Sequence, residues 1–286
     1  MPSVESTMDD LTIGVVGAGL IGGSIALGAQ RAGFSVVVHD RHNSATGLDL
    51  GAVPRWASTI DEVALTSDLI FIATPISATV AAAEALLVHV RPNAIVSEVA
   101  SAKQEIAPEL FRLLSPRCNY IPSHPMAGSE RSGWEAAHAE LFRGAVTIVC
   151  EDFCPDPKAA AIMRNFWKRL GSNTITLDVI THDRLVAAVS HLPHLLASIL
   201  VTDIAESFEP AFQVAGRGFR DLTRIASGSP DLWTEILLAN RRELLNHLQR
   251  FRGRLDEAIG LLQTNDAKSL QALLNAAKRN RDKLTG

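Results

Sequence analysis

Between Leu11 and Val16 the chain reads LTIGVV, a short apolar run rich in β-branched residues, the pattern of a strand buried on both faces. A glycine-rich turn follows, then an alanine-rich helical segment from Leu20 to Ala32, then FSVVVHD as a second strand, so the opening reads as a βαβ unit. Further strand candidates recur with helical patterns between them: DLIFIA at 68–73, AIVSEV at 94–99, NYI near 120, AVTIVC at 145–150 and TITL at 174–177. Such alternation predicts a mostly parallel, doubly wound sheet covered by helices on both faces. After Asp178 the strands stop. Only helical patterns remain, over 183–207, about 231–262 and 267–284. The expected organisation is α/β: a polar tail over 1–10, a sheet domain over 11–178 and an all-helical domain over 179–286. Leu237, Leu238, Leu244, Leu245 and Leu248 supply more apolar surface than a lone small bundle needs, which predicts a homodimer through the helical half.

Composition narrows the function classes. The 286 residues are 47% hydrophobic and 20% charged, with a formal net charge of -4, so nothing favours nucleic acid or a membrane surface as a partner. Small anionic substrates would need a local basic site. Three cysteines and no secretory leader pattern point to a reducing cytoplasm. Cys150 and Cys154 lack metal-ligand spacing, and no metal is expected. The most apolar run, Leu185 to Val201, is interrupted by Ser190, His191, Pro193 and His194, and reads as a buried helix, not a membrane span.

The turn GAGLIG, Gly17 to Gly22, has G-x-G-x-x-G spacing between a strand and a helix, and Asp40 ends the next strand about twenty residues on. In that context the pattern is a dinucleotide site on a Rossmann-type domain. Gly17 permits the tight turn, Gly19 lets backbone approach a pyrophosphate, Leu20 and Ile21 open the helix, and Gly22 allows close packing. Asp40 is placed to accept a hydrogen bond from a ribose 2′-hydroxyl, which favours NAD. Arg41 follows directly and keeps NADP open. Thr74 and Pro75, after the third strand of the pattern, either sit where such folds bring backbone near the nicotinamide end or form an ordinary loop.

Hydride transfer from an alcohol needs a base for the hydroxyl proton, a task suited to neutral histidine. Of nine histidines, His124 in SHPMAGSERSG falls after a strand on the ligand-binding side of the sheet. His138, His182 and His247 read as surface residues, His89 as a helix end, and His39 and His42 as solvated flanks of the second strand. His191 and His194 in SHLPH lie one helical turn apart around Pro193, expected to kink its helix, and serve either a core or a site. GRGFRDLTRIA, Gly216 to Ala226, is either a solvated loop or an arginine fork aimed at a carboxylate and oriented by Asp221.

Together, GLIGGS at 19–24, SEVASAK at 97–103, SHPMAGSERSG at 123–133, SHLPH at 190–194 and GFRDLTRIA at 218–226 resemble the prephenate/arogenate dehydrogenase family of tyrosine biosynthesis, in order and over nearly the whole chain. The resemblance implies an N-terminal dinucleotide-binding domain, a C-terminal helical dimerisation domain and NAD-dependent oxidative decarboxylation of prephenate. It makes His124 the catalytic proton acceptor and Ser101 a hydrogen-bonding neighbour of that histidine and the nicotinamide. His194, with Ser190 beside it, becomes a substrate-side contact and His191 a structural residue. Arg224 becomes the grip on a substrate carboxylate, with Glu130 and Asp221 as its acidic partners and Trp233 near the pocket. Glu98 and Ala100 depart from the family's usual aspartate and glycine, and Arg217 stands in a run that is commonly all glycine, which tilts the reading toward prephenate. Arogenate or dual specificity is the nearest alternative; a 4-amino-4-deoxyprephenate oxidase, a β-hydroxyacid-type dehydrogenase and a non-catalytic NAD-binding regulator are more remote. No chorismate mutase segment is expected ahead of the glycine turn, and no regulatory domain after Gly286.

Overall fold

The computed structural model describes residues 8, 10–41 and 55–285. The sheet grows from the apolar runs. β1 (Thr12–Val16), β2 (Ser35–His39), β3 (Arg55–Trp56), β4 (Leu69–Ile72), β5 (Ile95–Glu98) and β6 (Asn119–Tyr120) form one six-stranded sheet in the order β3-β2-β1-β4-β5-β6. All its pairings are parallel. The order reverses between β1 and β4, the switch point at whose carboxyl ends doubly wound sheets bind ligands. The LIFI of β4 is buried throughout, as a strand covered on both faces must be.

Helices α1 (Leu20–Arg31), α2 (Ile60–Thr66), α3 (Ile76–Leu87), α4 (Ala107–Leu114) and α5 (Pro157–Arg169) cover the sheet. Two apolar cores result. On one side Phe71 meets Phe166 at 4.7 Å and the edge of Trp167 at 5.4 Å; on the other Val63, Leu86, Leu110 and Tyr120 close over Ile70 and Val96. Met8, within the expected tail, is only 2% exposed and belongs to the first core, while 1–7 and 9 lie outside the described residues. His42 lies outside them too.

A second sheet was not expected. β7 (Ser123–Pro125) runs antiparallel to β8 (Val146–Cys150), which pairs in parallel with β9 (Asn173–Leu177). His124 is therefore not in a loop after β6. It sits inside β7 opposite Ile148, and all three residues of the strand are buried. The Ser97 and Ser123 hydroxyls, 2.7 Å apart, join the two sheets.

Beyond β9, Asp178 caps α6 (Val179–Val186) by accepting the Thr181 N–H at 2.8 Å. One π-helical turn, Ala187–His191, leads into α7 (Leu192–Ser207). The kink expected at Pro193 is thus absorbed: the proline falls at the start of α7, and the wide turn lies before it. α8 (Arg217–Thr223) and α9 (Pro230–Ala239) follow, so the helix expected over 231–262 is broken at the buried Asn240. α10 (Arg241–Gln263) and α11 (Ala267–Asp282) complete the chain. Two compact units divide after Arg241; the second, Arg242–Gly286, holds most of α10 and all of α11.

Candidate active site

The glycine turn is built as its spacing demands. Gly17 has φ +95°, and a Cβ there would lie 2.7 Å from the Ala73 carbonyl oxygen; a Cβ on Gly22 would collide with the Gly17 carbonyl. The β1–α1 and β4–α3 turns therefore pack backbone to backbone at the switch point. Before Gly19 the space is open, with nothing within 4 Å of a Cβ there, and Gly19 caps α1 without any side-chain hydrogen bond. Such an end offers backbone N–H donors and the positive pole of the helix to an anion. Asp40 Oδ2 accepts the Ala18 N–H at 2.7 Å, which ties the end of β2 to the turn. Thr74 and Pro75 lead into α3, where the Thr79 hydroxyl donates to the Pro75 carbonyl at 3.0 Å. Arg41 is exposed. These residues fit a dinucleotide: room for backbone approach at Gly19, a helix N-terminus without a side-chain cap, and an acid beside it.

A second cluster surrounds His124. Its Nδ1 lies 2.9 Å from Nε2 of His182, whose Nδ1 lies 2.7 Å from Oδ1 of Asp183. Asp183 also accepts the Lys103 N–H on Oδ1 and the Gln104 N–H on Oδ2, both at 2.9 Å. Asn240 donates to the Asp183 carbonyl at 2.8 Å and meets His191 Nδ1 at 3.2 Å. His182, Asp183 and His191 are fully buried, and His124 keeps 7% exposure. Burial, then the neighbouring His182, Lys103 and His191, holds His124 well below the ordinary histidine range. Burial likewise lowers His182, against the opposing pull of Asp183, and brings His191 down to about 4. These rings are neutral at physiological pH.

The loop that carries Ser101 is clamped from below. Lys103 and Glu98 are both fully buried, and Lys103 Nζ donates to the two Glu98 carboxylate oxygens at 2.7 and 2.8 Å and to the Ser123 carbonyl at 2.7 Å. Glu98 Oε2 accepts the Ala100 N–H at 2.7 Å. The longer acid of this chain thus spans its own loop and, through lysine, reaches the strand of His124. Ser101 is half-buried and makes no side-chain hydrogen bond with His124, whose Nδ1 is taken by His182.

On the helical side His194 stacks on Trp233 with ring centroids 3.5 Å apart and 12° between planes, and Trp233 meets the His191 ring edge-on at 6.2 Å. A Cβ on Gly228 would stand 2.5 Å from Trp233 Nε1, so the stack needs glycine there. The Nδ1 of His194 and the Nε2 of His191 are buried without a partner. Arg224 reaches Glu130 at 3.3 Å and is otherwise largely exposed. Asp221 does not join that pair: it lies 3.9 Å from Arg217, and both are exposed. Ser190 is half-buried in the π-helical turn.

Comparison with known proteins gives the lineage. A family model described as prephenate dehydrogenase, nucleotide-binding domain, matches residues 25–176, and one described as prephenate dehydrogenase, dimerization domain, matches 178–276. The chain belongs to the prephenate dehydrogenase family. As a member of it, the protein is an oxidoreductase. It is 31% identical to a prephenate dehydrogenase of Bacillus subtilis over 281 residues, 96% of this chain and 76% of that one. Among solved structures it resembles Synechocystis arogenate dehydrogenase, at 32% identity and TM-score 0.83, with 96% and 100% of the two chains covered. It also resembles prephenate dehydrogenase from A. aeolicus in complex with hydroxyphenyl propionate and NAD+, at 26% identity and TM-score 0.88, with 96% and 98% covered.

Four residues of this candidate site are not singled out by the sequence pattern. The local pattern around His182 predicts a surface histidine; it is instead 0% exposed and bonded to His124. Asp183, Lys103 and Asn240 went unnoticed. Two signals were available: an acid at Glu98 inside an apolar strand, which needs a buried cation, and the His-Asp pair one turn after the Asp178 cap.

Proposed function

We propose that the protein catalyses the NAD-dependent oxidative decarboxylation of prephenate to 4-hydroxyphenylpyruvate. The observation that carries this reading is a neutral, nearly buried His124 whose Nδ1 is engaged by His182, leaving the opposite nitrogen for a substrate hydroxyl. Gly17, Gly19, Leu20, Ile21, Gly22, Thr74 and Pro75 would hold the dinucleotide, and Asp40 beside the turn favours a free ribose 2′-hydroxyl over a phosphate. NAD, when bound, accepts the hydride from the ring carbon that bears the hydroxyl.

His124 takes the hydroxyl proton as the ring carbon becomes a carbonyl. The electron pair of the carbon–carboxylate bond then enters the ring and carbon dioxide leaves. The phenolic oxygen that results recovers the proton from His124, so no net proton is released. Aromatisation supplies the driving force, and alignment is the protein's main task. Arg224, with Glu130 steadying it, is the candidate for the substrate's carboxylate, while His194 on Trp233 and Ser190 beside it face the ring's other polar groups. Gripping the departing carboxylate too strongly would favour the ground state, which gives no rate. Ser101, on the clamped loop, completes the set near the nicotinamide. Asp221 is the weakest member, since its partner is Arg217.

Arogenate is the second reading, because the two substrates differ only in a keto or amino group on the side chain and the relatives include an arogenate dehydrogenase. A matrix of prephenate and arogenate against NAD and NADP, followed at the reduced-cofactor absorbance with carbon dioxide trapped, tests both choices. Prephenate with NAD should give the highest kcat/KM and one carbon dioxide per reduced cofactor. Reduction without decarboxylation, or no reduction with either substrate, refutes the assignment.

Support for a homodimer comes from the matched dimerization domain and from apolar side chains open to solvent: Val189 at 68%, Leu238 at 59%, Leu262 at 66% and Leu274 at 60%. The run Val179–Ser207 is long and apolar enough to cross a bilayer by length and composition, with 28% of its best window buried. It also carries His182, Asp183 and His191 of the buried network, so a second copy is the better cover. Cys118, Cys150 and Cys154 are unpaired, in keeping with a cytoplasmic setting. A monomeric mass by light scattering at micromolar concentration would refute the dimer.

A further inference from the structure

Neither a histidine ring nor a carboxylate chooses its own proton positions; neighbours choose for them. In the chain His124–His182–Asp183 the choice can be read from the far end inward. Both oxygens of Asp183 already accept backbone N–H groups, from Lys103 on one side and Gln104 on the other. The carboxyl group therefore faces His182 as an acceptor. His182 Nδ1, 2.7 Å away, must donate, and a neutral ring that carries its proton on Nδ1 presents a lone pair at Nε2. That lone pair faces His124 Nδ1 at 2.9 Å, so His124 must donate in turn. The proton of His124 is thereby held on Nδ1, and its Nε2 is left bare.

We propose that His182 and Asp183 are positioning residues that fix His124 in the tautomer able to accept a proton at Nε2 and stabilise the imidazolium when it forms. The proposal rests on His124 being the base of the reaction given above, and it extends that reading to two residues that touch no substrate. Supporting geometry comes from every element packed on the chain. The Lys103 N–H anchors Asp183 from the Glu98–Lys103 loop, and Asn240 at the end of α9 holds its carbonyl while touching His191. The charged and titratable groups facing His182 are then Asp183, Lys103, His124 and His191, and the Lys103 charge is matched by Glu98. With exposure at 0% for both, His182 and Asp183 are screened from the bulk solvent that could reorganise the pattern.

The test has two parts. Nitrogen-15 NMR of histidine-labelled protein without substrate, with His124→Asn and His182→Gln used for assignment, should find both rings neutral, protonated at Nδ1 and bare at Nε2. A proton on Nε2 of either ring overturns the proposal. In steady-state kinetics His182→Leu should lower kcat about a hundredfold or more, the scale of general-base assistance. KM for substrate and affinity for NAD should change less than about threefold, and His182→Gln, which restores an acceptor, should recover part of kcat. Unchanged kcat in His182→Leu, or a loss carried by KM, overturns it. Because the tautomers are read without turnover, a failure of the proposed reaction would show in the wild-type assay and leave the NMR result to stand or fall alone.

Discussion

Replacing Lys103 by methionine isolates the clamp beneath the site. Lys103 and Glu98 are both 0% exposed, and the ammonium spends its three donors on two carboxylate oxygens and the Ser123 carbonyl. Methionine fills nearly the same volume but leaves a carboxylate and a carbonyl buried without their partner. Breaking a buried pair in this way costs about 3–5 kcal/mol. Glu98 is already raised above the ordinary carboxylate range because burial outweighs the attraction of Lys103. Without lysine it rises further, and the folded state binds a proton that the unfolded state has released. Stability then falls as pH rises from the unfolded glutamate value of about 4.3 toward the folded one. The deficit of Lys103→Met should therefore be larger at pH 8 than at pH 5. Urea unfolding followed by circular dichroism at one protein concentration measures it. The double variant Glu98→Gln/Lys103→Met should recover to within about 1 kcal/mol of wild type, since removing a whole pair is often near neutral. A single-variant cost below about 1 kcal/mol at pH 8, or a double variant no better than the single, refutes the reasoning.

Three further outcomes follow from the same structure. Gly228→Ala should push Trp233 off His194, because the new methyl would stand 2.5 Å from the indole nitrogen; substrate KM should rise with NAD affinity intact, and an unaltered KM contradicts the stack's role. Arg224→Ala should raise KM about ten- to a hundredfold, the worth of one hydrogen bond to a charged group, with a smaller change in kcat; a loss confined to kcat contradicts it. His124, His182 and His191 are all held below the ordinary histidine value, His191 at about 4. The unfolded state therefore binds more protons as pH falls below about 6.5, and stability should decline steadily from there toward pH 4; a flat profile in denaturant titrations contradicts it.

How far the sequence carried this picture depended on range. The β1–α1 turn was legible because strand, glycines and helix are contiguous: Gly17 is required by its own positive φ and Gly22 by the Gly17 carbonyl, while the Ala73 carbonyl that also crowds Gly17 comes from the distant β4–α3 turn. β4 was legible as an unbroken apolar run, and β5 as a shorter one ending in Ser97 and Glu98. β7 was not, since three residues containing a proline and a histidine carry no periodicity, and it exists only through pairing with β8 across more than twenty residues. His182 failed for a related reason. Its local setting, ITHD after a capping aspartate, reads as a solvated first turn, and only the arrival of β7 and the Lys103 loop buries it. The division of labour between Arg224 and Asp221 was also hidden: both sit in one motif, yet Arg224 turns to Glu130, 94 residues away, and Asp221 to its helical neighbour Arg217.

The proposed chemistry turns on His124 as the proton acceptor of the oxidation. His124→Asn keeps a polar side chain of similar reach in β7 and removes the base. Single-turnover reduction of NAD by saturating prephenate, beside NAD titration of the same variant by calorimetry, measures chemistry and binding separately. The chemical step should slow by about a hundredfold to ten-thousandfold while NAD binds as in wild type. A variant that reduces NAD at the wild-type rate would contradict the claim.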